Sequence, residues 1–368
     1  MGKRILVINP GSTSTKIAVY EDENRLWAES IEHSLEELEK YGSIPDQADM
    51  RFELVVKTVS EKGFSLSELD AVVGRGGTVA PIEAGGYLVN EALKNRILYG
   101  DILSHASNLG ALIADAIAAP LGVPAYIYDA VASDEFYEIA HITGLPEIIR
   151  QPYSHVLNTK AMGRKYAISI GKRYEDINII ACHIGGGVSV SIHEKGRIVD
   201  SIEDDGGPFS VERAGVIPLS YIVGMAYSGD YTKSELMKKL RGKGGVIAHL
   251  GTHDLREVER RIAEGDEKAR TVYEAFAYQI SKGIGEMAPV LSGNIDAIIL
   301  TGGAARSEML TEQIKARVEF IAPVVVMPGE NEMEALALGG LRILNGEEEA
   351  KIYADKTQTA LPGLIITG

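Results

Sequence analysis

One pattern occurs twice in this chain, and it limits the fold more than any other feature. Lys3–Ile8, Lys16–Tyr20 and Leu26–Ile31 read as a three-stranded meander whose last two strands join through Glu21-Asp22-Glu23-Asn24. Ile177–His183, Val188–His193 and Ile198–Ile202 repeat it, with Glu194-Lys195-Gly196-Arg197 as the turn. After each meander comes a buried strand entered by a similar dipeptide, Leu69-Asp70 and Ile295-Asp296. Each of these strands ends in glycine: Leu69–Val73 runs into Gly74-Arg75-Gly76-Gly77, and Ile295–Leu300 into Thr301-Gly302-Gly303. Such self-similarity predicts a duplicated α/β unit. At 368 residues the chain is long enough for two cores.

The turn between the first two strands of each meander is chemically unusual. Asn9-Pro10-Gly11 leads into four hydroxyl residues, Ser12 to Thr15; the second copy is His183-Ile184-Gly185-Gly186-Gly187. Neither stretch packs as apolar core. Both offer backbone N–H groups or hydroxyls to a ligand, and a phosphate meets that description. Gly11 and Gly185–Gly187 are expected to allow backbone conformations closed to other residues and close approach of a ligand. The pair predicts two phosphate-facing turns across one cleft. Thr301-Gly302-Gly303 suits the sugar or diphosphate of a nucleotide, or forms an ordinary strand-to-helix turn.

Helical segments lie between these strands. Residues 49–60 read as a helix, and Asn108–Ala118 is apolar nearly all round, as expected between layers. Asp254–Glu264 carries an apolar stripe at Leu255, Val258 and Ile262. Asp266 caps a helix to about Ile284, with a core stripe at Val272, Ala275, Phe276, Gln279 and Ile280. Met333–Leu344 is a further apolar helix. The expected division is 1–160 and 161–332, with a last helix, about 333–368, packing back onto the first domain.

Composition narrows the function classes. A net charge of −15 argues against a nucleic-acid surface, and any anion site must be built from a few local cations or N–H groups. The single cysteine, Cys182, excludes an internal disulfide and reads as a small buried hydrophobe. No signal-like segment and no long apolar run is evident, so a cytoplasmic protein without a membrane span is expected.

Few residues have the chemistry for a reaction. Arg75, between glycines at a strand end, is expected to leave its guanidinium free. It and Arg213 suit bidentate contact with a carboxylate or phosphoryl group, or surface ion pairs. Asp129, ending the strand Ala125–Tyr128, suits magnesium or water, or an N-cap. His105, His155 and His183 line the candidate site or start helices and turns. Glu332 and Glu334 open the last helix, where acids also complement the helix dipole. Arg241-Gly242-Lys243-Gly244-Gly245 is expected to be a flexible surface loop. Walker-type, serine-elbow and zinc-pair motifs do not occur.

These motifs, in this order over essentially the whole chain, resemble the acetate kinase family of short-chain carboxylate kinases, within the superfamily of sugar kinases, actin and Hsp70. Ile8-Asn9-Pro10-Gly11-Ser12-Thr13-Ser14-Thr15-Lys16 is similar to the opening of the branch that acts on butyrate. The resemblance implies duplicated ribonuclease H-like (actin-like ATPase) α/β domains, with mixed sheets flanked by helices and a cleft between. It implies reversible phosphoryl transfer from ATP to butyrate; acetate, propionate or a branched acid such as isobutyrate is the alternative. Mg²⁺ and ATP or ADP are the implied cofactor and nucleotides. A homo-oligomer, a dimer or a multiple of dimers, is implied too.

Residue by residue, the resemblance implies that Asn9, Ser12 and Lys16 serve the first phosphate turn and His183, Gly185, Gly186 and Gly187 the second. Thr301, Gly302 and Gly303 match the nucleotide segment, although the following residues differ from those of acetate kinase. Arg75, His105 and Arg213 match substrate-side residues, and His155 the transition-state histidine. Asn9, Asp129 and one of Glu332 or Glu334 match the magnesium side, and Asp129, with Arg75, His155 and Arg213, the catalytic residues. From another class, a nucleotide-driven actin-like or Hsp70-like binding protein is the rival reading.

Overall fold

The structure, a computed structural model, describes residues 2–79, 81–203 and 206–354. It divides into two units, one of Met1–Pro152 with Asn331–Gly368, the other of Tyr153–Glu330. Unit 1 carries strands β1 (Arg4–Pro10), β2 (Ser14–Glu21), β3 (Asn24–Glu32), β4 (Ala71–Arg75), β5 (Gly86–Leu88) and β6 (Ala125–Tyr128). Unit 2 carries β7 (Asn178–Ile184), β8 (Val188–Glu194), β9 (Arg197–Ile202), β10 (Ala297–Thr301) and β11 (Val324–Val326). Strand β12 (Lys351–Ile352) belongs to unit 1.

The two sheets share one plan. Unit 1 orders its strands β12-β5-β6-β4-β1-β2-β3, and unit 2 orders its own β11-β10-β7-β8-β9. In each, an antiparallel meander is followed by parallel strands on the other side of its first strand. The duplication reaches individual hydrogen bonds. Asp70 Oδ2 accepts the Arg4 N–H at 2.8 Å, and Asp296 Oδ2 accepts the Asn178 N–H at 2.8 Å. The dipeptides that enter the two parallel strands are thus equivalent clamps. Both meander turns place a residue in the left-handed region, Asp22 at φ 53° and Lys195 at φ 47°. The register shifts at matching places too, between Val19 and Tyr20 and between Ile192 and His193.

In unit 1, Ile5 to Ile8 are fully buried because helices cover both faces of the sheet. Leu6 and Ile8 join the cluster that holds Val55 and Val59 of the helix Ala48–Glu61 and Leu109 and Ile113 of the helix Leu109–Ala118. Successive residues point to opposite faces, so Ile5 and Val73 meet the helix Glu332–Leu344 instead, beside Gly340. Each such aliphatic side chain contributes about 1.5–3 kcal/mol by leaving water. A Cβ on Gly74 would sit 2.1 Å from the Gly110 carbonyl, so strand and helix meet backbone to backbone just before Arg75.

Two expectations are corrected here. The last helix ends at Leu344, where Gly346 turns the chain at φ 72°, and Lys351–Ile352 then pairs with β5. Residues 355–368 of that expected helix lie outside the described residues. In the helix Glu267–Met287, Asp266 is the N-cap, but the buried face runs through Ala269, Tyr273, Phe276, Ala277, Ile280 and Ile284. Val272 and Ala275 flank it, half-buried. Among the described residues no helix is long and apolar enough to cross a membrane.

Candidate active site

The carboxyl ends of adjacent parallel strands gather the unit 1 residues. Strands β6, β4 and β1 lie side by side, with Arg75 opposite Tyr128 and Gly74 opposite Ile8. Asn9, Arg75 and Asp129 therefore line one sheet edge, the usual ligand edge of an α/β sheet. Glu332 reaches it from the N-terminal turn of its helix. Asn9 Nδ2 donates to Glu332 Oε2 at 2.6 Å. Arg75 forks onto the same carboxylate, Nη1 to Oε2 at 3.2 Å and Nη2 to Oε1 at 3.1 Å, while Nη1 also donates to Asn9 Oδ1 at 3.3 Å. The expected free guanidinium is thus corrected: Arg75 is largely buried and grips a carboxylate. Asn9 is buried between that pair, with both ends of its amide engaged, and further donors lie beyond it.

Those donors are in the turn. The carbonyls of Gly11, Ser12, Thr13 and Ser14 all accept bonds from within unit 1, from Arg51, His33 N–H and Gly11 N–H. Ser12 and Thr13 are exposed, and their N–H groups and hydroxyls take no part in this network. Lys16 follows on β2, exposed, paired in register with Asn9.

Asp129 is buried, with φ 41°, and its Oδ1 accepts the Gly85 N–H at 2.9 Å. It caps no helix. His105 is exposed; its Nδ1 bonds within its own turn, 2.7 Å from Ser107 Oγ. That turn is anchored beside Arg75's loop, because Asn108 Oδ1 accepts the Thr78 N–H at 2.7 Å. The two acids opening the last helix part company. Burial raises the pKa of Tyr20; Arg25 lowers it and Glu334 raises it further. Tyr20 pairs with Ile5, at the far end of β1 from Asn9. Of the two acids, Glu332 is the one that contacts Asn9 and Arg75.

Unit 2 builds its edge from imidazoles, an amide and hydroxyls. His183 ends β7 opposite Thr301 of β10. His155 enters from the start of the helix Val156–Ser169 and stacks on His183, ring centres 3.9 Å apart and planes at 6°. His155 Nδ1 shares a 2.8 Å hydrogen bond with Ser189 Oγ. Thr301 Oγ1 donates to the Gly329 carbonyl at 3.3 Å, so it accepts from Asn158 Nδ2 at 3.2 Å. The same amide nitrogen lies 2.9 Å from His183 Nδ1. Its second N–H therefore donates to that ring nitrogen, and the ring proton sits on Nε2. A Cβ on Gly185 would lie 3.2 Å from that Nε2, so the N–H faces the second turn.

The Arg213 segment is tied to the same turn. Ser210 Oγ donates to the Gly186 carbonyl and accepts the Arg213 N–H at 3.0 Å. The glycine expectation is corrected: Gly11, Gly185, Gly186 and Gly187 are absent from the left-handed region. Gly11 has room for a Cβ, with nothing nearer than 3.5 Å, so what glycine provides there is open space above the turn. Strain falls on Gly302 instead, at φ 90°, where a Cβ would meet the Ile184 carbonyl at 2.3 Å. The segment Arg241–Gly245 is also more constrained than expected. Gly242 and Gly244 N–H both donate to the Glu212 carbonyl, and Gly244 and Gly245 are buried against the Arg213 turn. Sequence reading missed Arg51, Asn158, Ser189 and Ser210. Arg51 alone left a signal, a cation four and eight residues before Val55 and Val59 on a buried helical stripe.

The architecture is that of kinases with the duplicated actin-like fold. Acetate kinase of Porphyromonas gingivalis superposes with a TM-score of 0.77 over 93% of this chain and 100% of its own, at 18% identity. A propionate kinase from Francisella tularensis superposes at 0.73, over 91% and 98%, at 16% identity. At the sequence level, the profile of the acetokinase family matches residues 136–341. Butyrate kinase 1 of Clostridium acetobutylicum is 48% identical over 95% of this chain and 99% of its own. A probable butyrate kinase 2 from Caldanaerobacter subterraneus is 49% identical over 95% and 99%. The chain belongs to the acetokinase family and is a carboxylate kinase, a phosphotransferase.

Proposed function

We propose that this enzyme is a butyrate kinase, transferring the γ-phosphoryl group of ATP reversibly to butanoate. The observation that carries this is the edge of the first sheet: a largely buried guanidinium already forked onto a carboxylate, beside a turn that exposes two hydroxyl residues, Ser12 and Thr13. Two similar chains named for the same acid support the choice of butyrate. Acetate, propionate and isobutyrate are the alternatives, since one methylene is worth only about 1–3 kcal/mol in a pocket.

A carboxylate oxygen attacks the γ-phosphorus, the bond to the bridging oxygen breaks, and ADP leaves with that electron pair. No proton moves, so no general base is needed. The enzyme's task is to neutralise charge on the group in transfer. Arg75 and Arg213 orient the acid and the phosphoryl group. His155 stabilises the transition state, held in place by Ser189 and the ring of His183. Ser12, Lys16, His183 and Gly185–Gly187 bind phosphates; Thr301–Gly303 serve the nucleotide, and His105 the acid.

Among the described residues no group of three or more His, Cys, Asp or Glu side chains forms a metal cage. The donors at the first edge fit magnesium, which takes one or two carboxylates and completes its shell with phosphates and water. Asn9, Asp129 and Glu332 would hold it, and it would neutralise phosphate charge. We further propose a cytoplasmic homo-oligomer formed through unit 2. In support, the apolar helix Leu219–Tyr227 leaves Leu219 81%, Tyr221 69% and Tyr227 89% exposed in the single chain. The test of the substrate is kcat/KM for straight acids from acetate to valerate and for isobutyrate. A maximum at butyrate is expected; a maximum at acetate or isobutyrate would replace butyrate as the substrate.

A further inference from the structure

Arg51 is fully buried in the helix Ala48–Glu61, with 0% of its surface exposed. Its Nη1 donates to the Gly11 carbonyl at 2.8 Å, the Ser14 carbonyl at 3.1 Å and Thr15 Oγ1 at 3.1 Å. Its Nη2 donates to the Ser12 carbonyl at 3.2 Å and Gln47 Oε1 at 2.9 Å. Its Nε is buried with no partner. Every one of these acceptors is neutral. Among the described residues no carboxylate pairs with it, and Glu37 acts on it only at longer range.

A buried charge without a counter-ion is costly, and folded proteins rarely keep one. Here the charge lies against the turn, drawing in the carbonyls of Gly11, Ser12 and Ser14, while Ser12 and Thr13 stay exposed. The turn is therefore both shaped and charged for an anion. We propose that Arg51 is the positioning residue of the first phosphate turn, and that its missing counter-charge is the phosphate chain of the nucleotide. This rests on the kinase reading above for the identity of the anion, but its test does not depend on turnover.

The experiment is calorimetric titration of the full-length protein with ATP and magnesium, without carboxylate. Arg51→Met, neutral, should weaken ATP binding at least about tenfold, as loss of a charge-assisted contact does. Arg51→Lys keeps the charge and loses the fork; it should bind ATP within about threefold of wild type. In turnover, KM for ATP should rise in Arg51→Met while KM for the acid holds. If circular dichroism shows Arg51→Met unfolded, Arg51→Gln, neutral but still a donor to the turn, takes its place.

ATP affinity unchanged in the neutral variant would overturn the proposal. So would Lys and the neutral variant binding equally weakly, which is the result expected of a purely structural clamp. A wild-type protein that binds no ATP would overturn it as well. A wild type that binds ATP yet phosphorylates no acid would refute the proposed function and leave the Arg51 comparison readable.

Discussion

The two sheets repeat one backbone and furnish it with opposite chemistries. Strand order, turn conformation, register shift and the Asp70 and Asp296 clamps all correspond. Yet the unit 1 edge is ionic, with Arg51 under the turn and Arg75 forked on Glu332. Around its second turn, unit 2 uses stacked imidazoles, an amide and hydroxyls, joined by hydrogen bonds. The fold supplies the edge, and the side chains placed on it decide what that edge does.

That contrast can be broken by substitution. The largest effect is expected for Arg75→Ala, a loss of kcat on the order of 10³ or more, the scale of arginine contributions to phosphoryl transfer. It also strands the buried Glu332 carboxylate, at about 3–5 kcal/mol of stability. Adding Glu332→Gln should restore the melting temperature and not the turnover. Recovery of both would mean Arg75 serves only as Glu332's partner. A middle effect is expected in unit 2. Asn158→Leu removes the donor to His183 Nδ1 and Thr301, costing about 1–3 kcal/mol, or roughly 10- to 100-fold in kcat/KM. A loss as large as that of Arg75→Ala would erase the proposed difference between the edges.

The smallest effect is shared by both units. His193 is buried between Tyr174 and Ser191, and burial, helped by Lys160 and Arg164, holds its pKa well below the usual histidine range. Burial, then the charge of Arg51, lowers that of His33. Both take up protons less readily in the folded protein than in the unfolded chain, which protonates them below about pH 6.5. Stability should therefore fall as pH drops from 7 toward 5.5, by up to about 1.4 kcal/mol per pH unit for each histidine. His193→Asn should flatten the slope of melting temperature against pH in this window. An unchanged slope would mean another group carries it.

Much of this was legible in the sequence because strand alternation, glycine-ended strands and capping residues are local signals. The repeated meander, the Asp266 cap and the position of Arg75 needed no tertiary knowledge. Partnership is not local. Glu332 lies far along the chain from Asn9, and only the fold shows that it, rather than Glu334, meets Arg75. Asn158 looks like any helical asparagine until Thr301 and His183 come to either side of it. The glycines misled for a different reason. A glycine that leaves space for a ligand and one that bends the chain look alike in sequence, and here Gly302, not Gly11, is the bent one.

The most direct measurement is ATP turnover in the presence of hydroxylamine, with and without butyrate. We expect ADP and acyl hydroxamate to accumulate in equal amounts, and only when the acid is present. ADP released at the same rate without acid, with no hydroxamate formed, would contradict a carboxylate kinase and favour a nucleotide-driven binding protein.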